Sequence, residues 1–146
     1  MDLFHLYFEM LDLRSPWFVK DVVLKIEQKK INVILDYREG SRFPCPQCKK
    51  QTSIYDHTKQ RIWRHLNTCQ LQTFIHAKLP RINCSQHEIQ QIEINWAIKH
   101  SRFTCQMEDY INLLIENVAT TNKVAKITGI GWNVVVGIKK RSQSSD

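Results

Sequence analysis

The sequence predicts an α+β protein in which a small β domain is followed by a domain of three helices. The β domain is predicted from alternating apolar and polar residues, which are typical of strands and recur between residues 19 and 98. The helical domain is predicted because apolar residues beyond Thr104 recur about every 3.6 positions, as on one helix face. We expect domains over residues 1–103 and 104–141 and a polar tail over residues 142–146.

The β domain is expected to open with a short amphipathic helix over residues 3–12, whose apolar side chains have helical spacing. Ser15-Pro16 should end this helix because proline cannot continue the hydrogen-bond ladder. A β-hairpin follows, with its polar turn at Lys29-Lys30. The strands are predicted over residues 19–27, 31–37, 61–66, 71–78 and 89–98, with a loop over residues 38–44 and Pro80 as the end of the fourth strand.

The net charge of +7 and a pI of about 9.3 permit nucleic acid, acidic protein or anionic lipid as a partner. Residues 1–44 are neutral, so the basic surplus lies in residues 45–105 and 121–141. No apolar run approaches the ~18–20 residues needed to span a membrane. The apolar N-terminus is interrupted by acids, unlike a signal peptide. We expect a cytoplasmic protein. In that compartment, paired cysteines bind metal more often than they form disulfides.

Two short Cys/His pairs predict a metal site. Cys45-Pro46-Gln47-Cys48 and Cys84-Ser85-Gln86-His87 each place two ligands on one tight turn, and zinc takes four tetrahedral thiolate or imidazole ligands. With four protein ligands no position stays open, which predicts one structural zinc that staples the β domain. Cys69 and Cys105 would then not be metal ligands. The matching spacing favours His87 as the fourth ligand, with His57, His65, His76 and His100 as alternatives.

The C-terminal segment fits the pattern of a helix-turn-helix. A first helix is indicated by the apolar residues Met107, Tyr110, Ile111, Leu114, Ile115 and Val118, with Thr104 as its N-cap. In the segment TNKVAKITGIGWNVVVGIKK, Ala125 stands where two helices cross and Gly129 where the turn needs a positive φ. The apolar positions of the pattern are filled by Val124, Ile130, Val135 and Ile138.

The last helix, from about Trp132 to Arg141, is the predicted recognition helix. Its first turn would lie in the major groove of duplex DNA, with lysines and an arginine reaching phosphates. The alternative is an ordinary helical hairpin, which the poor helix formers Val134–Gly137 favour. The candidate base contacts are Gly131, Trp132, Asn133 and Val136, and the candidate backbone contacts are Lys123, Lys139, Lys140 and Arg141.

An ordered set of motifs resembles a known family. After the cysteine pair come Tyr55-Asp56, Arg61-Ile62-Trp63-Arg64-His65-Leu66, Arg81-Ile82-Asn83-Cys84 with His87, Trp96-Ala97, Ser101-Arg102-Phe103-Thr104 and Gly131-Trp132-Asn133-Val134-Val135. This set resembles the N-terminal half of bacterial insertion-sequence transposases of the ISL-three family, over most of residues 19–141. In that family a zinc finger and a helix-turn-helix precede an RNase H-like catalytic domain with a DDE triad.

The resemblance implies that Cys45, Cys48, Cys84 and His87 bind zinc and that Arg61, Arg64 and Arg81 contact the DNA backbone. It implies binding to the terminal inverted repeats of a mobile element, in the bacterial cytoplasm at the nucleoid. The family's catalytic domain would begin after residue 146, and the acids of this chain form no triad, so we expect a non-catalytic DNA-binding fragment.

Two alternative functions stay open. One is a free-standing zinc-containing transcriptional regulator or transposition repressor, and the other is a zinc-stapled adaptor that binds acidic protein. Double-stranded DNA is the expected partner, a membrane is not, and a homodimer is compatible with the sequence.

Overall fold

The computed structural model describes residues 2–117 and 120–144 of the chain. The chain divides into two compact units, Met1–Thr104 and Cys105–Asp146, called here the sheet unit and the helical unit. The sheet unit contains one helix and all the described strands, and the helical unit contains three helices within its described residues. The α+β class predicted from the sequence is confirmed. Among the described helices, none combines the length and apolar character that crossing a membrane requires.

Helix α1 (Leu3–Met10) begins at Asp2, whose carboxylate accepts a hydrogen bond from the His5 backbone N–H at 2.8 Å. The predicted helix is confirmed, but the predicted cause of its end is wrong. The helix ends at Met10, before Ser15-Pro16, because the chain turns at Leu11 and Asp12 has a positive φ of 52°.

Eight strands form two four-stranded sheets. In chain order they are β1 (Trp17–Lys25), β2 (Lys30–Tyr37), β3 (Arg42–Pro44), β4 (Gln51–His57), β5 (Arg61–Thr68), β6 (Leu71–Ala77), β7 (Pro80–Cys84) and β8 (Glu88–Gln91). The first sheet has the order β1-β2-β6-β5, in which β2 and β6 are parallel and the other pairs antiparallel. The second has the order β3-β4-β7-β8 and is antiparallel throughout.

The predicted hairpin is present as β1 and β2, with a turn slightly earlier than Lys29-Lys30. A 3₁₀ turn over Ile26–Gln28 and a left-handed Lys29 with φ 53° connect the strands. The second sheet corrects several predictions. The segment 38–44 includes strand β3, Pro80 begins strand β7 instead of only ending the strand before it, and β8 covers only the first part of residues 89–98. Proline fits the first position of a strand because it lacks an N–H to donate.

The core of the sheet unit is rich in aromatic side chains. The Trp96 ring packs edge-on against the rings of Trp17 and Trp63, with centroids 4.9 and 5.6 Å apart. Edge-to-face packing of this kind stabilises a core beyond the area that it buries. Ile75 and Leu79 belong to the same cluster. The buried cysteines Cys45 and Cys84 also belong to it, so the core extends to the predicted metal ligands.

The helical unit consists of α2 (Cys105–Asn117), α3 (Thr121–Thr128) and α4 (Trp132–Ser144), which contact one another. The apolar positions of the predicted helix-turn-helix pattern, Val124, Ile130, Val135 and Ile138, are all buried. On α2, Met107 and Ile111 are buried, Tyr110 is exposed, and Val118 lies outside the described residues. Residues 142–144 continue α4 instead of forming a tail, and residues 145–146 lie outside the described residues.

Helix α3 has a side-chain cap at its N-terminus and ends at a glycine. The Thr120 hydroxyl accepts a hydrogen bond from the Lys123 backbone N–H at 3.2 Å. Gly129 closes the helix in the left-handed region with φ 72°, and its N–H donates to the Ala125 carbonyl at 2.9 Å. Gly129 therefore takes the conformation that the sequence pattern requires at this position.

Candidate metal centre and nucleic-acid interface

Two tight turns present the metal-type side chains. In the first, the Cys45 backbone N–H donates to the Lys50 carbonyl and the Lys49 N–H donates to the Cys45 carbonyl, both at 2.9 Å. In the second, the His87 N–H donates to the Cys84 carbonyl at 3.3 Å. Lys49 and Glu88, which follow the second ligand of each turn, have positive φ values of 65° and 62°. The two turns, called here the first and second knuckle, thus share one backbone shape.

The four ligand atoms of the knuckles lie within 4.8 Å of one another. The Sγ atoms of Cys48 and Cys84 are 3.7 Å apart, and His87 Nδ1 is 3.7 Å from Cys45 Sγ and 3.5 Å from Cys84 Sγ. Thiolates bound tetrahedrally at about 2.3 Å from zinc would be about 3.8 Å apart. The donor set and its dimensions therefore fit one zinc ion, with His87 facing the site through Nδ1.

Local hydrogen bonds favour thiolates at two of the cysteines. The backbone N–H groups of Cys48 and Gln47 lower the pKa of Cys45, and those of Gln86 and His87 lower the pKa of Cys84. At Cys48 the Lys50 N–H lowers the pKa, but partial desolvation and the neighbouring thiols outweigh it, so that pKa is raised. A bound cation would favour the charged form of all three thiols.

The alternative histidines lie outside the cluster. His65 is buried, and its Nδ1 lies 2.7 Å from the Thr104 hydroxyl. Burial lowers the pKa of His65 to about 4. His76 Nε2 lies 2.9 Å from the Asn32 amide oxygen, and burial lowers its pKa as well. Among the described residues, the metal-type cluster contains His87 and no other histidine.

Two of the three arginines proposed to contact DNA have partners inside the sheet unit. Arg64 is 8% exposed, and its guanidinium donates to the Asn67 amide oxygen at 2.8 Å. Arg81 forms a two-pronged pair with Asp56, in which Nε donates to Oδ1 at 2.6 Å. That pair lowers the pKa of Asp56. Arg61 lies on β5 with its guanidinium 5.2 Å from the centre of the Trp63 ring.

Three of the candidate base contacts and one candidate backbone contact share one face of α4. Trp132, Asn133, Val136 and Lys140 follow one another at helical spacing, opposite the buried Val135 and Ile138. Trp132 is 53% exposed, which is high for so large an apolar ring, and Asn133 and Lys140 are exposed as well. We call this surface of Trp132, Asn133, Val136 and Lys140 the α4 face.

The other predicted contacts of the helical unit differ in accessibility. Lys123 on α3 is exposed, as is Gly131 in the turn, whereas Lys139 is half-buried. Arg141 forms an ion pair with the largely buried Glu108 of α2. Arg141 therefore has a partner within its own unit, which the charge pattern of the sequence did not reveal.

Comparisons with known proteins agree with this geometry. Residues 41–87, which contain both knuckles, match the family of the zinc-finger of transposase IS204/IS1001/IS1096/IS1165. The transposase for insertion sequence element IS1557 is 30% identical over 98 residues in two strains of Mycobacterium tuberculosis, CDC 1551 / Oshkosh and ATCC 25618 / H37Rv. The match covers 66% of this chain and 22% of each relative, so the chain spans about a fifth of their length. No solved structure matches the chain.

These findings confirm the resemblance to the zinc-finger region of insertion-sequence transposases. The matched segment begins just before β3 and ends at His87, so it contains all four members of the Cys/His cluster. The chain therefore contains a zinc finger of the transposase type with one structural zinc site, as the sequence predicts.

Proposed function

We propose that this chain is the DNA-binding portion of an insertion-sequence transposase and that it recognises the ends of the element as duplex DNA. The proposal is supported by one observation: a transposase-type zinc finger and three packed helices, of which α4 has an exposed face, occur in the same chain. Terminal inverted repeats are the DNA that this proposal assigns to it.

The zinc site supports a binding role rather than hydrolysis. Cys45, Cys48, Cys84 and His87 supply three thiolates and one imidazole, which fill the tetrahedral coordination of zinc. A hydrolytic zinc keeps one position open for water. We therefore assign the ion a structural role, in which it fixes the two knuckles and the strands that lead into them.

The helical unit supports base recognition through the α4 face. Asn133 is placed in the first turn of α4, and an asparagine amide there can pair with the edge of an adenine in the major groove. Lys140 lies two turns further along the same face, where it would reach a phosphate. Arg64 is buried and is excluded from the proposed contacts, and Arg141 and Arg81 would have to give up their carboxylate partners.

The proposal is tested by selecting bound duplexes from a random pool with the wild-type chain, with Asn133→Ala and with Lys140→Ala. Loss of Asn133 should relax the selected sequence at one base pair, at a cost of about 1–3 kcal/mol there. Loss of Lys140 should weaken all sites alike. Identical behaviour of the two variants would refute the placement of α4 in the groove, and no enrichment of any sequence would refute end recognition.

Strand cleavage is tested separately by incubating the chain with the selected duplex and Mg²⁺ or Mn²⁺. We expect binding without nicking, because we assign these residues recognition and not the two-metal chemistry of strand transfer. Nicking that purifies with the chain would overturn that part of the proposal.

A further inference from the structure

A groove lined by polar side chains crosses the second sheet beside the second knuckle, and it encloses about 160 Å³. Its lining contains two cations, three hydroxyls and two amides, and no carboxylate. The lining residues are Arg42, Lys50, Gln51, Thr52, Ser53, Asn83, Cys84 and Ser85. We call it the knuckle groove.

The strand register presents Arg42, Ser53 and Asn83 on the outer face of the sheet. Arg42 and Ser53 are paired across β3 and β4, so their side chains point to the same side. Asn83 on β7 is exposed as they are, whereas Phe43, the neighbour of Arg42, is buried in the core. Donors from three adjacent strands therefore converge on one solvent-facing groove.

Lys50 is positioned by the first knuckle. Its backbone N–H hydrogen-bonds to Cys48 Sγ, and its carbonyl accepts from the Cys45 N–H at 2.9 Å and from the Thr52 hydroxyl at 3.0 Å. Both the N–H and the carbonyl of Lys50 thus have hydrogen-bond partners, while its side chain is exposed. A metal that orders the knuckle would also fix the backbone of this lysine.

The cations of the groove are available, unlike Arg64 and Arg81 of the same unit. Arg42 donates one hydrogen bond to the Gln51 carbonyl at 3.5 Å. In the part of the chain that the structure describes, neither Arg42 nor Lys50 forms an ion pair. Arg64 and Arg81, by contrast, are held by Asn67 and Asp56.

We propose that the knuckle groove binds a phosphodiester group of the DNA backbone, an inference that rests on the proposed function. Arginine, lysine, hydroxyl and amide groups are the donors that proteins use for phosphate oxygens. Zinc with three thiolates and a neutral imidazole carries one net negative charge, and Arg42 and Lys50 together outweigh it. The groove then anchors the zinc finger to the backbone and leaves base reading to other residues.

The experiment measures the affinity of the full chain for a fluorescent mixed-sequence duplex as a function of salt concentration. The test variant is Arg42→Ala/Lys50→Ala. The control is Arg14→Ala/Lys25→Ala, which removes the same charge from exposed positions that lie before β1 and at its end. One lost phosphate contact should flatten the slope of log K against log salt by about 0.9 in the test variant and leave the control slope unchanged. Zinc content should be the same in all three proteins.

The outcomes separate this inference from the proposed function. If the wild type binds DNA and the two double variants have the same slope, the groove assignment is wrong and DNA binding stands. If the wild type fails to bind duplex even at low salt, the proposed function fails and the groove assignment fails with it.

A second experiment replaces chloride by inorganic phosphate at constant ionic strength and measures DNA affinity again. Inorganic phosphate could weaken DNA binding only in chains that keep Arg42 and Lys50 while the test variant has the same salt slope as the wild type. This result would mean that the groove binds free phosphate, and it would overturn the DNA assignment.

Discussion

The two units of the chain reach a defined fold by different means. In the second sheet, β4 and β8 have no fully buried residue, β3 has only Phe43, and the other buried residues all lie on β7. The helical unit is shorter, yet the side chains of Val124, Val135 and Ile138 are each 3% exposed or less. A sheet that buries little apolar surface needs another source of stability, which a structural metal supplies. The comparison accounts for the position of the ligands in the sheet unit and for a helical unit that folds without them.

Removal of one zinc ligand should have the largest effect and should be confined to the sheet unit. Cys84→Ser is expected to abolish zinc binding, which contributes roughly 10–16 kcal/mol in isolated zinc-finger peptides. Hydrogen exchange should then show loss of protection in β3, β4, β7 and β8, with the helical unit still protected. Cys69→Ser, at an exposed cysteine outside the cluster, is the matched control and should leave zinc content unchanged. Equal zinc content in the two variants would contradict the ligand assignment.

A cavity in the helical unit should destabilise that unit without affecting the metal. Ile111 on α2 is fully buried, so Ile111→Ala is expected to lower the free energy of unfolding by about 2–5 kcal/mol. Urea unfolding followed by helical circular dichroism measures this cost. On the same helix Leu113 is 55% exposed, so Leu113→Ala should cost far less. Zinc loss from Ile111→Ala would show that the two units do not hold their folds independently.

Buried His65 makes the sheet unit sensitive to acid. Its pKa is lowered from 6.5 to about 4 in the folded chain, so the unfolded chain takes up a proton first as the pH falls. The contribution of His65 to stability is present above pH 6.5 and is lost between pH 6.5 and 4, by up to about 3 kcal/mol. His65→Gln should remove this part of the pH dependence in denaturant titrations. His57→Gln, at an exposed histidine, should keep this pH dependence. The same dependence of stability on pH in both variants would contradict the assignment to His65.

Two glycines of the helical unit should respond oppositely to the same substitution. Gly129 has φ 72°, so Gly129→Ala should cost about 1–2 kcal/mol. Gly137 lies within α4 with open space around its Cα, so Gly137→Ala should stabilise by about 0.5–1 kcal/mol. Thermal unfolding of both variants measures the difference. A shift of the melting temperature in the same direction for both would contradict the turn geometry.

Sequence spacing was sufficient for the zinc site and for the helices. Both knuckles are local, so the distance between Cys45 and Cys48 along the chain already constrains their geometry. Gly129 and the buried positions of α3 and α4 likewise follow from local conformation and helical period. The knuckle turns, the Gly129 turn and the buried helix faces could be predicted because each depends on residues close together in the sequence. The pairing of the two distant knuckles could be predicted because zinc takes four ligands.

Features that depend on distant partners were missed. Strand β4 is polar and has no buried residue, so it lacks the apolar alternation that reveals β5 and β6. The ion pair between Asp56 and Arg81 depends on the register of β4 and β7. The charge of Arg64 gave no sign that its side chain would be buried. The proposed phosphate contacts Arg42 and Lys50 were not predicted either, although both residues flank the first cysteine pair.

We propose that each of the two units contacts DNA and that only one of these contacts depends on zinc. Hydroxyl-radical footprinting of the full chain on its selected duplex, with and without zinc, distinguishes the two contacts. We predict two protected segments, of which zinc removal erases one, while Asn133→Ala weakens the other. A single segment that zinc removal leaves intact, or loss of all protection without zinc, would contradict it.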